Sequence, residues 1–252
     1  MRVIVGLVSV LPVVLLFVGL LTLALVLRAS GPFVINQRGD SRERALARAA
    51  AARGWSYRPG GNPWLLGLTA PPFGLPGARR VVDVITGSRP AGPFVAFTLE
   101  LNLRRGDDQD VRVFWVASVP LPRAIPQVAL TPDGALAAFL GAQALESGAQ
   151  EVTVESHAFN ERWRVGTDDL ACAHAVLTPA VIAALLDAPR DIVCITIENG
   201  SLVASSMVPR TDFRWIDEWL DTLEAVRAGI PPFVWERWGV REDGAAPGVA
   251  IQ

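Results

Sequence analysis

The 252-residue chain contains no lysine, so all 23 of its basic side chains are arginine. A phosphate-cradling loop ending in Gly-Lys is thereby excluded. No G-x-G-x-x-G opens a helix after a strand, so nucleotide binding has no support. Beside abundant Ala, Gly and Pro, the bias reads as the imprint of a GC-rich genome rather than of arginine chemistry. Histidine and cysteine are almost as scarce: His157, His174, Cys172 and Cys194 are all there are. Two cysteines cannot build the scaffold of a disulfide-rich secreted protein, and both read as buried free thiols. Cys172 and His174 are two apart in a predicted helix and point in different directions, a poor start for a zinc site. No G-x-S-x-G elbow is present, and both histidines read as structural or surface groups, so a nucleophilic triad has no support. Neither a metal nor a cofactor is expected.

A surplus of positive charge is missing from most of the chain. From Pro59 onward there are 15 arginines against 23 acidic residues, a net of minus eight, which argues against nucleic acid as a partner. The acidic run at Asp107, Asp108 and Asp110 lacks the glycine and the distal glutamate of a calcium loop, and reads as a solvated hairpin tip.

Charge is also missing from Val3 to Leu27. That run is about the 20 apolar residues a helix needs to cross a bilayer, and Pro12 within it predicts a kink rather than a break. It is too long for the apolar region of a cleaved signal peptide, and Arg28 spoils the best small-x-small site. The N-terminal flank offers only Arg2 and the α-amino group. Residues 28–58 carry seven arginines against Asp40 and Glu43, a net of plus five. Positive charge stays inside, so the sequence predicts a bacterial single-pass membrane protein whose main domain is cytoplasmic. Arg42, Arg44 and Arg48 belong to this cluster. They suit either anionic headgroups or a solvated helix face.

The rest alternates between strand and helix signals. Asp40 or Ser41 caps an alanine-rich helix that Gly54 stops. Residues 59–77, rich in Pro and Gly, read as a loop packed on the domain. Val81 to Thr86, Phe94 to Leu103 and Val111 to Val119 show period-two patterning, and a turn or bulge near Ser156 to Asn160 separates two more strands. Another short strand near 127–130 precedes a helix expected to run from Thr131-Pro132-Asp133 to about Leu145. Thr167-Asp168-Asp169 caps a helical stretch that Pro179 breaks. Asn199-Gly200 fits a type I′ turn, pairing Ile197 with Leu202 and Ile195 with Ala204. Asp212 to Arg227 reads as an amphipathic helix closing over the sheet. Trp215 with Trp219, and Trp235 with Trp238, are spaced as helical neighbours and read as core packing.

The predicted fold class is α+β: an N-terminal transmembrane helix, then a mainly antiparallel sheet with helices packed on it. The expected divisions are an anchor at 1–28, a basic juxtamembrane helix and linker at 29–58, a soluble α+β domain at 59–228, and a partly disordered tail at 229–252.

Glu155-x-x-x-Phe159-Asn160-x-x-Trp163-x-Val165, followed by Leu177-Thr178-Pro179, resembles the signature of an uncharacterised family of bacterial membrane-anchored proteins, a domain of unknown function. The resemblance covers most of residues 40–225 and implies no activity. On the residues themselves, Phe159, Trp163 and Val165 read as inward strand positions and Asn160 as a turn, fold-building in role. Phe159, Asn160 and Trp163, with Arg42, Arg44 and Arg48, are the candidate interaction residues. The sequence leans away from an enzyme, toward a membrane-tethered interaction or scaffold domain with membrane lipid and an unidentified protein as partners. A module binding a lipid or small ligand at the membrane face is the alternative. A hydrolase using Ser156 or Ser201 with scattered acids comes third.

Overall fold

The computed structural model describes residues 41–61, 67–105, 108–132, 150–210 and 212–240. The apolar run at 3–27, residues 133–145 of the expected helix and the tail from Glu242 lie outside the described residues. Among the described residues, no single helix is long and apolar enough to cross a membrane.

The chain divides into two units at Arg48/Ala49. Helix α1 occupies residues 41–51. In the first unit Arg42, Arg44 and Arg48 are exposed on it, and Arg48 Nε donates to the Arg44 carbonyl at 3.2 Å. Gly54, at φ +71°, ends the helical stretch, as its freedom at positive φ predicts.

The second unit is α+β. Among the described residues it has nine strands, β1 (Ser56–Gly60), β2 (Ala78–Arg89), β3 (Gly92–Arg105), β4 (Asp108–Pro120), β5 (Val128–Pro132), β6 (Gln150–Val152), β7 (Trp163–Thr167), β8 (Cys194–Glu198) and β9 (Ser201–Ser206). They form one sheet in the order β1-β2-β3-β4-β9-β8-β5-β7-β6, antiparallel at every pairing. Among the described residues the sheet is accompanied by helices α2 (His157–Arg162), α3 (Leu170–Val176), α4 (Pro179–Asp187), α5 (Arg214–Gly229) and α6 (Pro232–Arg237).

Alternation decides which side chains meet. Phe97, Leu99 and Leu101 of β3, opposite Val116, Phe114 and Arg112 of β4, point to one face and form a cluster with Val81, Val84 and Val203. Val81 and Val84 have opposite parity, yet both enter that cluster. The reason is a bulge between Val82 and Ile85, where Asp83 adopts φ +54° and accepts a hydrogen bond from the Tyr57 hydroxyl at 2.8 Å. The sequence reads this stretch as a plain short strand.

The same face is covered by residues 67–75, an irregular segment that contributes Leu68, Phe73 and Leu75 to the core. Its polar backbone is tied down from β8. The buried Glu198 carboxylate accepts from Thr69 N at 2.9 and 3.0 Å, Thr69 Oγ1 at 2.7 Å and Ala70 N at 2.9 Å. Two residues back, Thr196 Oγ1 donates to the Pro71 carbonyl at 3.5 Å, and Cys194 Sγ donates to it at 3.2 Å.

On the other face Ala96, Ala117 and Ala204 are wholly buried, and their small size lets α5 lie across β4 and β9. That helix inserts Ile216, Trp219, Leu220 and Leu223, as its spacing predicts. Helix α4 packs beside it so closely that a Cβ on Gly229 would stand 2.8 Å from Val181 Cγ2.

Three expectations are revised. Residues 157–162, expected to hold only a turn or bulge between strands, form helix α2, with Ser156 Oγ accepting from Phe159 N at 3.4 Å. Thr131 and Pro132, expected to start a helix, close strand β5, where they pair with Arg164 and Trp163. The ordered elements also pass the expected domain edges at 59 and 228: β1 begins at Ser56 because it pairs with β2, and α6 follows Pro231-Pro232, whose fixed φ favours a helix start.

The turn at Asn199-Gly200 has φ of +47° and +71°, with Ile197 opposite Leu202 and Ile195 opposite Ala204. A Cβ on Gly200 would touch nothing closer than 3.8 Å, so only backbone strain opposes a side chain there. Gly200→Ala should lower stability by about 1 kcal/mol in urea denaturation with an unchanged m-value, whereas Gly200→Asn should cost about half of that or less.

Candidate functional site

The residues picked out by the signature are absorbed by the fold. Phe159 is wholly buried, Trp163 nearly so, and the Trp163 indole N–H donates to the Leu185 carbonyl at 3.1 Å. Asn160 is helical rather than in a turn. Its amide nitrogen donates to the Val154 carbonyl at 2.6 Å and its Oδ1 accepts from Val154 N at 3.2 Å, clamping the chain that enters α2. Arg162 lies over the Trp163 ring and donates to the carbonyls of Leu186, Ala188 and Pro189 at the end of α4. Phe159, Asn160 and Trp163 therefore meet in one structural knot. Arg42, Arg44 and Arg48 lie in the other unit.

Among the described residues, the histidines, cysteines and candidate serines do not converge. His157 is exposed and pairs with Glu161 across one helical turn at 3.1 Å; His174 is exposed, while Cys172 two residues earlier is buried. Ser156 uses its hydroxyl as a helix cap, and Ser201 is wholly buried in β9. Asp110 is held by Arg112 at 2.8 and 3.0 Å. No group of three or more His, Cys, Asp or Glu able to hold a metal ion occurs among the described residues.

What the fold does assemble is a clamp and a cleft at one end of α5. Arg89, at the end of β2, reaches across to the helix: it donates to the Asp217 carbonyl at 3.2 Å, bonds Asp221 and lies 3.6 Å from Glu224. Burial opposes its charge, but the hydrogen bond to Asp221 and the fields of Glu224, Asp221 and Asp217 outweigh it, so its pKa rises. Arg53 adds a contact to Asp217 at 3.9 Å and stacks over Trp55 and Phe213. One helical turn further on, Arg227 donates to the Pro120 carbonyl at 3.2 Å and to the Ala91 carbonyl in the β2–β3 turn. Between turn, helix and the end of β4 lies a solvent-open cleft of about 400 Å³, lined by Ala91, Pro120, Leu121, Pro122 and Ala228 together with Glu224 and Arg227. Its volume lies within the 300–1,000 Å³ typical of small-molecule sites.

Sequence reasoning missed this site because its parts are far apart: Arg89 and Asp221 are separated by 132 positions, and Ala91 and Arg227 by 136. The local hint was two arginines, one beside a Pro-Ala-Gly turn and one in the last turn of an amphipathic helix.

No known protein family matches this sequence, and no characterised protein does at the sequence level. In structure the chain is similar to the mycobacterial trehalose monomycolate transport factor A, TtfA, whose crystal structure aligns over 97% of its own length and 76% of this chain, with a TM-score of 0.53 and 15% identity. What the two share is the fold.

Two outcomes follow from the geometry. Asn160→Ala removes both bonds to Val154 and should cost about 2 kcal/mol of unfolding free energy, measured in urea, at about 1 kcal/mol per bond. Burial pushes the thiols of Cys172 and Cys194 up to about 12, from an ordinary 9.0. Both should resist a thiol reagent at pH 8 in the folded chain and react once it is unfolded. Between those two values the folded state holds protons that the unfolded state loses, so stability is intact below pH 9.0 and falls as pH rises toward 12. A thermal midpoint that rises with pH across that window in the wild type, relative to a Cys172→Ala, Cys194→Ala variant, would overturn this.

Proposed function

We propose that this chain is a membrane-tethered, non-enzymatic interaction module serving a lipid-transport assembly. The observation that carries the reading is the fold it has in common with the trehalose monomycolate transport factor, aligned over 97% of that factor's chain. The chemistry of the domain supports it. Among the described residues Ser156 caps a helix, Ser201 and both cysteines are buried, and the cleft beside α5 is lined mainly by proline, leucine and alanine. The uncharged run from Val3 to Leu27 serves as a single-pass anchor, and the seven arginines that follow it hold the domain on the cytoplasmic side. Arg42, Arg44 and Arg48, exposed on α1, are suited to anionic headgroups at that surface.

The decisive test is made in the native host. Deleting the gene should leave newly made, pulse-labelled lipid accumulating in the inner membrane at the expense of the outer envelope, and the full-length chain should restore the partition. An unchanged partition sinks the transport role. In the same cells a C-terminal tag should resist added protease until the membrane is permeabilised; cleavage in intact cells reverses the orientation.

A further inference from the structure

The geometry points to an occupant for the cleft: we propose that it takes the acyl chain of an uncharged lipid. This deepens the transport reading and rests on it for its physiological meaning, although the binding itself is measured independently.

The walls decide between a hydrocarbon and a peptide. Pro120 and Pro122 have no N–H to offer. The Leu121 N–H is already given to the Gly200 carbonyl at 2.8 Å, and the carbonyls of Pro120 and Ala91 are both taken by Arg227. A peptide entering here would strip water from its own amides and find no free N–H on residues 120–122 and the carbonyls of Pro120 and Ala91 already engaged, a cost that weighs against it. An acyl chain has no such groups to satisfy and gains by burying carbon against Pro120, Leu121, Pro122 and Ala228.

The rim decides the headgroup. Of the charged groups, one carboxylate, Glu224, and one guanidinium, Arg227, line the cleft, and Glu224 is itself paired with Arg89 at 3.6 Å. With the charges balanced, an ionised headgroup finds no net attraction to offset its own desolvation. Hydroxyl and ester oxygens need no counter-charge, and the Glu224 carboxylate and Arg227 guanidinium present an acceptor and a donor to them.

The test uses the full-length chain in nanodiscs, exposed to a photo-crosslinking monoacylglycerol and, separately, to the fatty-acid anion carrying the same diazirine. Expected is saturable labelling by the monoacylglycerol, mapped by mass spectrometry to residues 120–122 and to Ala91 or Ala228, with weaker labelling by the anion. Ala228→Trp and Ala91→Trp each fill the cleft from a different wall and should each cut that labelling about tenfold or more, a loss of the size that a steric block produces. Ala91 lies in an exposed turn, so at least that variant retains the fold, verified by an unchanged thermal midpoint. Labelling that maps elsewhere, or that survives both tryptophans, overturns the site. Stronger labelling by the anion overturns the headgroup assignment. Binding that holds while lipid partition in the deletion strain is unchanged leaves the site standing and removes the transport role.

Discussion

Everything on one side of the sheet depends on the Glu198 carboxylate. A nine-stranded antiparallel sheet whose strands are apolar on both faces needs two covers, and among the described residues α4 and α5 lie on the face opposite residues 67–75. Those residues are the other cover, a segment with too much proline and glycine to hydrogen-bond to itself as a regular element. Burying Phe73 and Leu75 brings worth of roughly 1.5–3 kcal/mol each, but only if the amides travelling with them are satisfied. Thr69 N, Thr69 Oγ1 and Ala70 N would each cost about 1–3 kcal/mol if stranded, so together they rival the whole apolar gain. Glu198 accepts all three, and Cys194 and Thr196, at alternate positions of the same strand, take up the Pro71 carbonyl. The alternation of β8 thus presents three consecutive same-face side chains as the fastening for a loop nearly 130 residues earlier in the chain.

That dependence marks the boundary of what the sequence makes legible. Patterns set within a few residues read correctly: the Asn199-Gly200 turn with its cross-strand pairs, the break at Pro179, where α3 and α4 bend by 73°, and the buried stripe of α5. Features whose partners are remote do not. Nothing around Glu198 announces that its partners are Thr69 and Ala70, and nothing around Arg89 announces Asp221. Helix α2 failed for a different reason. At six residues it is too short for a 3.6 period to outweigh the even spacing of Phe159, Trp163 and Val165, which imitates a strand; Ser156, its cap, was a local signal. Helix α6 is equally short, and Pro231-Pro232 was the signal that the stretch beyond residue 228 was not all tail.

The candidate site divides in the same way. Phe159 and Trp163 fill the core, and Asn160, expected in a turn, lies in a helix and bonds both backbone groups of Val154. The cleft was not legible, because Ala91, Pro120 to Pro122 and Ala228 come from three segments with no individual signature.

The absence of lysine has a structural consequence beyond base composition. Arg162 holds three carbonyls, Arg227 two, Arg89 a carbonyl together with Asp221, and Arg123 the carbonyl of Trp235. Several of these carbonyls lie where strands or helices stop and the backbone has lost its regular partner. A guanidinium serves them because its donors are fixed in a planar fork that spans two or three acceptors at once, whereas an ammonium is a single point on a flexible stem. Arg227 shows what this gives the molecule. By taking up the carbonyls of Pro120 and Ala91 together, it joins the β2–β3 turn to the end of β4 and removes the polar groups from the cleft they border. The interaction that fixes the shape of the cleft is therefore the same one that makes its walls apolar, and a chain that used lysine there would have had to satisfy those carbonyls with water in the space an acyl chain needs.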